Sequence, residues 1–313
     1  MLDMATGDIV PLETIWLNGK LVPWKDATVH LIAHVMHYGY GAFEGIRSYE
    51  TADGRSAVFR LDAHIRRLQD SMKILGVPME FNHAQLTQAC IDTIKSNKLK
   101  EAYLRPMAYV GPGALGFGAM TNPTHVAVLM WEWGAYLGAE GLAKGIRAKV
   151  SSFPRHHVGV GMVKAKVIGQ YVNAILAKRE VTQLGFDEAI LLDVDGYPTE
   201  ASGQNLFIAR DGVVKTAPLS SSILPGITRE TIIQMLREQG TQVLEERFTR
   251  DEMYVADEIF LTGTASEVTP VREIDMRPVG EGRPGPISKG LQERYGAIVR
   301  GNDAKHRDWL TFV

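Results

Sequence analysis

Two lysines, Lys164 and Lys166, stand two positions apart in the apolar stretch GMVKAKVIGQY (161–171). Taking an amine out of water is costly unless its pKa falls or a partner compensates, so a lysine here is either part of an exposed strand edge that discourages aggregation or a Schiff-base nucleophile. Read as a strand, the stretch turns both amines to one face, and spacing alone does not choose between them. Tyr103 and Arg105 in AYLRP are also two apart and share a face if that stretch is a strand. LPGITRETIIQMLREQG predicts a helix with Thr228 as its cap and Gly240 as its terminator. The free backbone N–H groups from Gly226 to Glu230 then suit a phosphate.

Other constellations offer rival chemistries. GPGALG (111–116) has the glycine spacing of a dinucleotide-binding loop and follows a strand-like run, but that motif must open a helix, and Gly118 and Asn122-Pro123 break one. His30, His34 and His37 fall at i, i+4 and i+7, one helical face, yet no glutamate follows His30 as in a zinc-protease helix. They read as packing histidines, and no metal is expected. Arg155, His156 and His157 form a basic cluster too small to suggest nucleic acid. Cys90 is the single cysteine, in a helix-like stretch with no nucleophile motif around it, and reads as buried packing.

Positioning such groups takes regular elements, and the patterns supply them. Asn18-Gly19 between apolar flanks predicts an opening hairpin. Asp62, then Ile65, Leu68, Met72 and Leu75 before Gly76, predict a helix with both caps, and HAQLTQACIDTIKSNKL predicts a second. AYLRPMAYV and THVAVLMWEW read as strands around a glycine-rich loop, which makes the first half α+β. GAYLGAEG (134–141) has neither period and marks a linker between a small N-terminal domain, 1–133, and a large C-terminal one, 142–313. In the latter, IRAKVSSF, EAILLDVDGYPTE, NLFIARDGVVKTA, TQVLEERF and EIFLTGTA read as strands, with Asp195-Gly196 and Asp211-Gly212 turns; residues 170–184 and PISKGLQERYGAIVRG read as helices.

Composition limits the partners. With 34 Lys plus Arg against 36 Asp plus Glu, the net charge of −2 exerts no global pull on nucleic acid or acidic membranes, which leaves small-molecule chemistry. No apolar run reaches bilayer length and the start MLDMATGDIV lacks a charged segment before an apolar one, so a cytoplasmic protein is expected.

Taken in order, HYGYGAFEGIR (37–47), AYLRP (102–106), WGAYLG (133–138), KVIGQY (166–171), LLDVDGYPTEASGQNLF (191–207), LPGITR (224–229) and GTASEVTPVR (263–272) resemble bacterial branched-chain amino acid aminotransferases, from about Trp16 to Val313. The resemblance implies a two-domain fold type IV enzyme, α+β / α/β and D-amino acid aminotransferase-like, with pyridoxal 5'-phosphate (PLP) in the cleft between its domains. It implies that Lys166, five residues before Tyr171, is the cofactor lysine and the proton-moving base, which Lys164 is not. A free base must be neutral, and a desolvated cleft lowers a lysine's pKa.

The same resemblance assigns the other roles. Glu200 keeps the pyridine nitrogen protonated and Tyr171 bonds the phenolic oxygen. Arg67, Ile227, Thr228 and Thr264 take the phosphate, and Leu224 joins the cofactor set. Tyr38, Phe43, Trp133 and Tyr136 form an aromatic wall, Gly45 joins the substrate set, and Tyr103 with the N–H groups of Thr264 and Ala265 holds the α-carboxylate. Arg105 receives the side-chain carboxylate of glutamate. The implied reaction is reversible transfer between L-leucine, L-isoleucine or L-valine and 2-oxoglutarate, giving the 2-oxo acids and L-glutamate. The implied unit is a homodimer in which Leu115 and Phe117 reach the neighbour's pocket, with a hexamer of three dimers as a higher assembly. Gln204, Tyr40 and the bulky Phe117 depart from common members. D-amino acid aminotransferases, R-selective amine aminotransferases and aminodeoxychorismate lyase share the scaffold, and Tyr103, Arg105 and FEGIR favour the branched-chain group.

Overall fold

The computed structural model describes residues 9–118, 121–134 and 137–313. The chain forms two compact units. Of the described residues, the first holds 9–133 and also takes Ala165–Gln170 and Ala297–Val313, so the units are not separated by a single cut. The second holds Gly134–Lys164 and Tyr171–Gly296. Part of the expected linker is itself regular, because a helix runs over Gly138–Lys144.

In the first unit, eight strands among the described residues make one sheet, in the order Leu310–Phe312, Ser56–Phe59, Ile46–Glu50, Ala102–Val110, Thr124–Trp131, Thr14–Leu17, Lys20–Pro23, with Gly41–Phe43 paired to Ala102–Val110. The opening hairpin turns at Asn18 and Gly19, both at positive φ, as the Asn-Gly pair predicts. The helix Leu61–Ile74 turns Leu61, Ile65, Leu68 and Met72 into the core. There they meet Leu86, Cys90 and Ile94 of the helix His83–Asn97. Each large apolar side chain buried this way contributes about 1.5–3 kcal/mol. His83–Asn97 carries a full capping box between Asn82 and Gln85. Leu61–Ile74 lacks the expected Asp62 cap: its N-cap is Arg60, at φ 52 with no side-chain cap, and Asp62 lies in the first turn. Arg60 is held instead by its N–H, which donates to the Trp309 carbonyl at 2.7 Å.

The second unit closes a ring of six strands. Pro198–Ala201, Glu188–Leu192, Ile146–Val150, Glu267–Ile274, Glu258–Gly263 and Asn205–Arg210 follow one another, and Asn205–Arg210 pairs back to Pro198–Ala201. Closure leaves these strands no free edge. Val213–Thr216 and Val243–Glu245 extend the sheet from Asn205–Arg210. The helix Ile227–Glu238 is capped by Gly226, without a side-chain bond, so Thr228 sits inside the helix rather than at its cap. The segment 161–171 is not a strand but turns and a 3-10 helix, Ile168–Gln170, with one bridge at Val167. Of the three histidines, only His34 and His37 lie in the helix His34–Tyr38; His34 is buried, whereas His30 and His37 are exposed, so the shared helical face is not formed. No helix among the described residues is long and apolar enough to cross a membrane.

Candidate active site

Backbone contacts that only glycine permits set the place of Lys166. Gly39 ends the helix His34–Tyr38 at φ 62, and a Cβ there would lie 2.6 Å from the Gly169 Cα. The Gly169 N–H donates to the Gly39 carbonyl at 3.1 Å. Next to this crossing, the Phe43 N–H donates to the Lys166 carbonyl at 3.1 Å, and the Lys166 N–H donates to Ser71 Oγ at 3.0 Å. The Lys166 Nζ then stands 5.1 Å from the centre of the Phe43 ring. Lys164 has a different setting, in the second unit. Its Nζ donates to the carbonyls of Ser221 and Ile223 at 3.0 and 2.9 Å. Burial lowers the Lys164 pKa, against the opposing charge of Glu200. The two amines thus take separate environments, which a shared strand face does not allow.

Arg67 is gripped by Glu44, with Nε and Nη2 donating to its two oxygens at 2.7 and 2.8 Å. His64 Nδ1 pairs with the same carboxylate at 2.8 Å. Burial alone would raise the Glu44 carboxyl, but the charge of Arg67 and the bonds from His64 and Arg67 outweigh it and hold Glu44 well below the usual carboxylate range. Burial pushes His64 below its ordinary value, with the Glu44 bond opposing and the charges of Arg67 and Lys166 adding to the fall. His64 is therefore the neutral donor and Glu44 the charged acceptor.

Tyr103 and Arg105 do share a face of their strand, and the guanidinium stands in an aromatic cage. Its carbon lies 4.6 Å from the Phe43 ring centre, 5.4 Å from Trp131 and 5.5 Å from Tyr103. Trp133 adds an edge contact to Tyr103 at 4.6 Å and is itself anchored by its carbonyl, which accepts from Arg47 Nη2 at 2.6 Å. Arg105 has no ion pair among the described residues, and its buried Nε has no hydrogen-bond partner. A buried unmet N–H costs about 1–3 kcal/mol, and cation–π contacts of about 0.5–2 kcal/mol each stabilise the charge but do not give that N–H an acceptor. A carboxylate arriving from outside would. Gly45 makes room for this group, since a Cβ built there would overlap the Tyr103 hydroxyl.

In the second unit, Glu200 is a buried carboxylate with three donors. Arg155 Nε bonds Oε1 at 2.7 Å, while the Leu224 N–H and Asn205 Nδ2 bond Oε2 at 3.0 and 3.2 Å. Asn205 also holds the Leu224 carbonyl at 3.0 Å. A Cβ on Gly226 would overlap the Asn205 carboxamide oxygen, so glycine is required where the helix Ile227–Glu238 starts. Thr228 is buried in that first turn, and Thr264 and Ala265 lie in the turn between Glu258–Gly263 and Glu267–Ile274. Tyr171 opens the helix Tyr171–Gln183.

Within the units, the structure thus gathers Phe43, Tyr103, Arg105 and Trp133, joined by Trp131, and separately Glu200 with Leu224. Tyr38 does not join that aromatic group; its ring contacts are with His34 at 4.6 Å, Phe117 at 5.4 Å and His37 at 6.0 Å. Tyr38, Leu115 and Phe117 are all exposed, Phe117 at 95%. Tyr136 lies outside the described residues. Sequence reasoning missed Glu44, His64, Arg155 and Asn205. The spacing of His64 and Arg67, three apart beside the buried Ile65 and Leu68, was the available signal for a polar pair on the inner side of the helix.

The antiparallel sheet unit with its pinned lysine and caged arginine, and the closed ring that holds a buried carboxylate beside a helix start, are those of an aminotransferase of class IV. The profile of the family "Amino-transferase class IV" matches residues 41–274, and the chain belongs to that family. It is 46% identical over 299 residues to the branched-chain-amino-acid aminotransferase of Pseudomonas aeruginosa, covering 96% of this chain and 97% of that one. The crystal structure of the Escherichia coli branched-chain amino acid aminotransferase aligns with a TM-score of 0.93 at 43% identity, over 96% of this chain and 98% of that chain. The T.th. branched-chain amino acid aminotransferase, complexed with N-(5'-phosphopyridoxyl)-L-glutamate, aligns at 0.92 and 42% identity, over 97% and 99%.

Proposed function

We propose that the protein is a branched-chain amino acid transaminase. It moves the amino group between L-leucine, L-isoleucine or L-valine and 2-oxoglutarate, giving the 2-oxo acids and L-glutamate. The observation that carries this reading is Arg105, a cation without an acidic partner inside a ring of Phe43, Tyr103 and Trp131. An aromatic surface accepts a branched aliphatic side chain, and the cation within it accepts the carboxylate of glutamate. One pocket then serves both halves of the exchange.

The residues fit PLP. Glu200, held by three donors and kept from water, is an acceptor for a pyridinium N–H, and the first turn at Gly226 offers backbone N–H groups to a phosphate. When bound, PLP supplies a protonated ring that accepts the electrons of the substrate Cα–H bond. Lys166 holds the cofactor through its amine and moves the proton from Cα as general base. Arg67, the N–H groups of Ile227 and Thr228, and the hydroxyls of Thr228 and Thr264 hold the phosphate. Leu224 fixes Glu200 through its N–H and so belongs to the cofactor set. Tyr171 bonds the phenolic oxygen. Tyr103, with Thr264 and Ala265 N–H groups, orients the α-carboxylate, while Gly45 and Trp133 shape the wall, which Tyr136 completes. Leu115 and Phe117, exposed on one chain, serve the pocket of a second copy in a homodimer, and Tyr38, expected in the wall but set against Phe117, goes with them; three such dimers make a hexamer. The buried, unpaired Cys90 fits a cytoplasmic enzyme.

The test is the visible absorbance of the PLP-loaded protein. L-leucine should bleach the band and 2-oxoglutarate restore it. A band bleached by D-alanine or an R-amine but not by L-leucine would overturn the substrate assignment, and a protein that gains no band with PLP would overturn the cofactor assignment.

A further inference from the structure

Glu44 and His64 touch neither side of the proposed exchange, yet both are buried to 1% exposure or less. Burying a carboxylate is costly unless it is fully partnered, and Glu44 is. Its two oxygens grip Nε and Nη2 of Arg67 at 2.7 and 2.8 Å, a fork that fixes the plane of the guanidinium as one bond cannot. His64, three residues before Arg67 on the same helix, pairs with the Oε2 that takes Nη2, at 2.8 Å, and the Gly45 N–H reaches the same oxygen at 3.3 Å. The carboxylate is therefore as fixed as the arginine it holds. The helix continues the chain of contacts. Ser71 Oγ donates to the Arg67 carbonyl at 2.8 Å and accepts the Lys166 N–H at 3.0 Å.

We infer that Glu44, steadied by His64, is a positioning residue that aims Arg67 at the phosphate of the cofactor. This rests on the reading of Arg67 as a phosphate ligand. An arginine side chain loses much rotamer freedom when it is ordered, and a fork made before the ligand arrives removes that loss from the binding step. A carboxylate also offsets the charge of its arginine, which acts against phosphate binding. Aim and attenuation thus predict opposite signs when Glu44 loses its charge.

The full chain, stripped of cofactor, is titrated with PLP and with pyridoxal, which lacks the phosphate. Glu44→Gln is expected to weaken PLP about tenfold and leave pyridoxal unchanged, the size of one charge-assisted bond. Adding Glu44→Gln to Arg67→Ala is expected to change nothing further. Equal weakening of both ligands would reveal mere structural support, and tighter PLP binding would reveal attenuation; either overturns the inference. If Arg67→Ala weakens PLP selectively and Glu44→Gln does not, the inference falls while the phosphate reading stands. If Arg67→Ala spares PLP, both fall. Should Glu44→Gln not fold, His64→Gln gives the same contrast, with about threefold loss on PLP alone expected and an equal loss on pyridoxal decisive against.

Discussion

Replacing Lys166 with alanine is expected to abolish the visible band of the cofactor-loaded protein, and Lys164→Ala to keep it; the reverse result would exchange the two assignments. The spectrum distinguishes them because Lys164 already spends its donors on two loop carbonyls. Arg105→Met should lower kcat/KM for 2-oxoglutarate about a hundredfold and for L-leucine only a few-fold, as expected for one charge-assisted pair of about 3 kcal/mol. Equal losses on both substrates would remove the selective role of Arg105. Residue roles were unevenly legible in the sequence. Tyr103 and Arg105 could be paired by the period of a strand, whereas the partners of Arg67 and Glu200 could not. Glu44 is 23 positions from Arg67, and Arg155 is 45 from Glu200, so only the fold brings them together.

At the scale of elements, the sequence was most readable where backbone geometry selects a residue type. Asn18-Gly19 announced its turn because both positions have positive φ. Arg60 did not announce its left-handed cap, because its backbone bond to Trp309 comes from the far end of the chain. Thr228 looked like a cap by type, but Gly226 holds that place and leaves room for Asn205. Likewise 161–171 has a strand's apolar content, yet tertiary contacts at Gly39 and Ser71 bend it. Gly39→Ala is expected to lose about 2–5 kcal/mol, the sum of a left-handed penalty and an overpacked contact, in urea unfolding. A variant as stable as the parent would show that the close approach to Gly169 is not needed.

For the molecule as a whole, pH acts in part through the pair His64 and Glu44, faced by Arg67 and Lys166, while burial lowers His156 in the same sense as His64. Unfolded, His64 takes a proton near its ordinary 6.5; folded, it does so only at lower pH. The unfolded chain therefore binds more protons in that window, and stability is present above it and falls as pH drops through it. Glu44 acts in the same sense lower down, beginning near the ordinary 4.5 and continuing to its depressed folded value. His64→Gln should lessen the fall of Tm just below pH 6.5 and keep the fall below 4.5. An unchanged curve over the upper window would exclude His64 as its cause.

The single cysteine gives the whole molecule one more property. Cys90 is closed in the core, and burial pushes its thiol up to about 12. Only about one in 10⁵ such groups is thiolate at neutral pH, and the thiolate is the reactive form. The chain is thus a chemical blank toward maleimides and spin labels. A cysteine placed at an exposed position away from the proposed pocket contacts, Met276 for example, becomes its sole handle for distance measurement between copies, without prior removal of a native thiol.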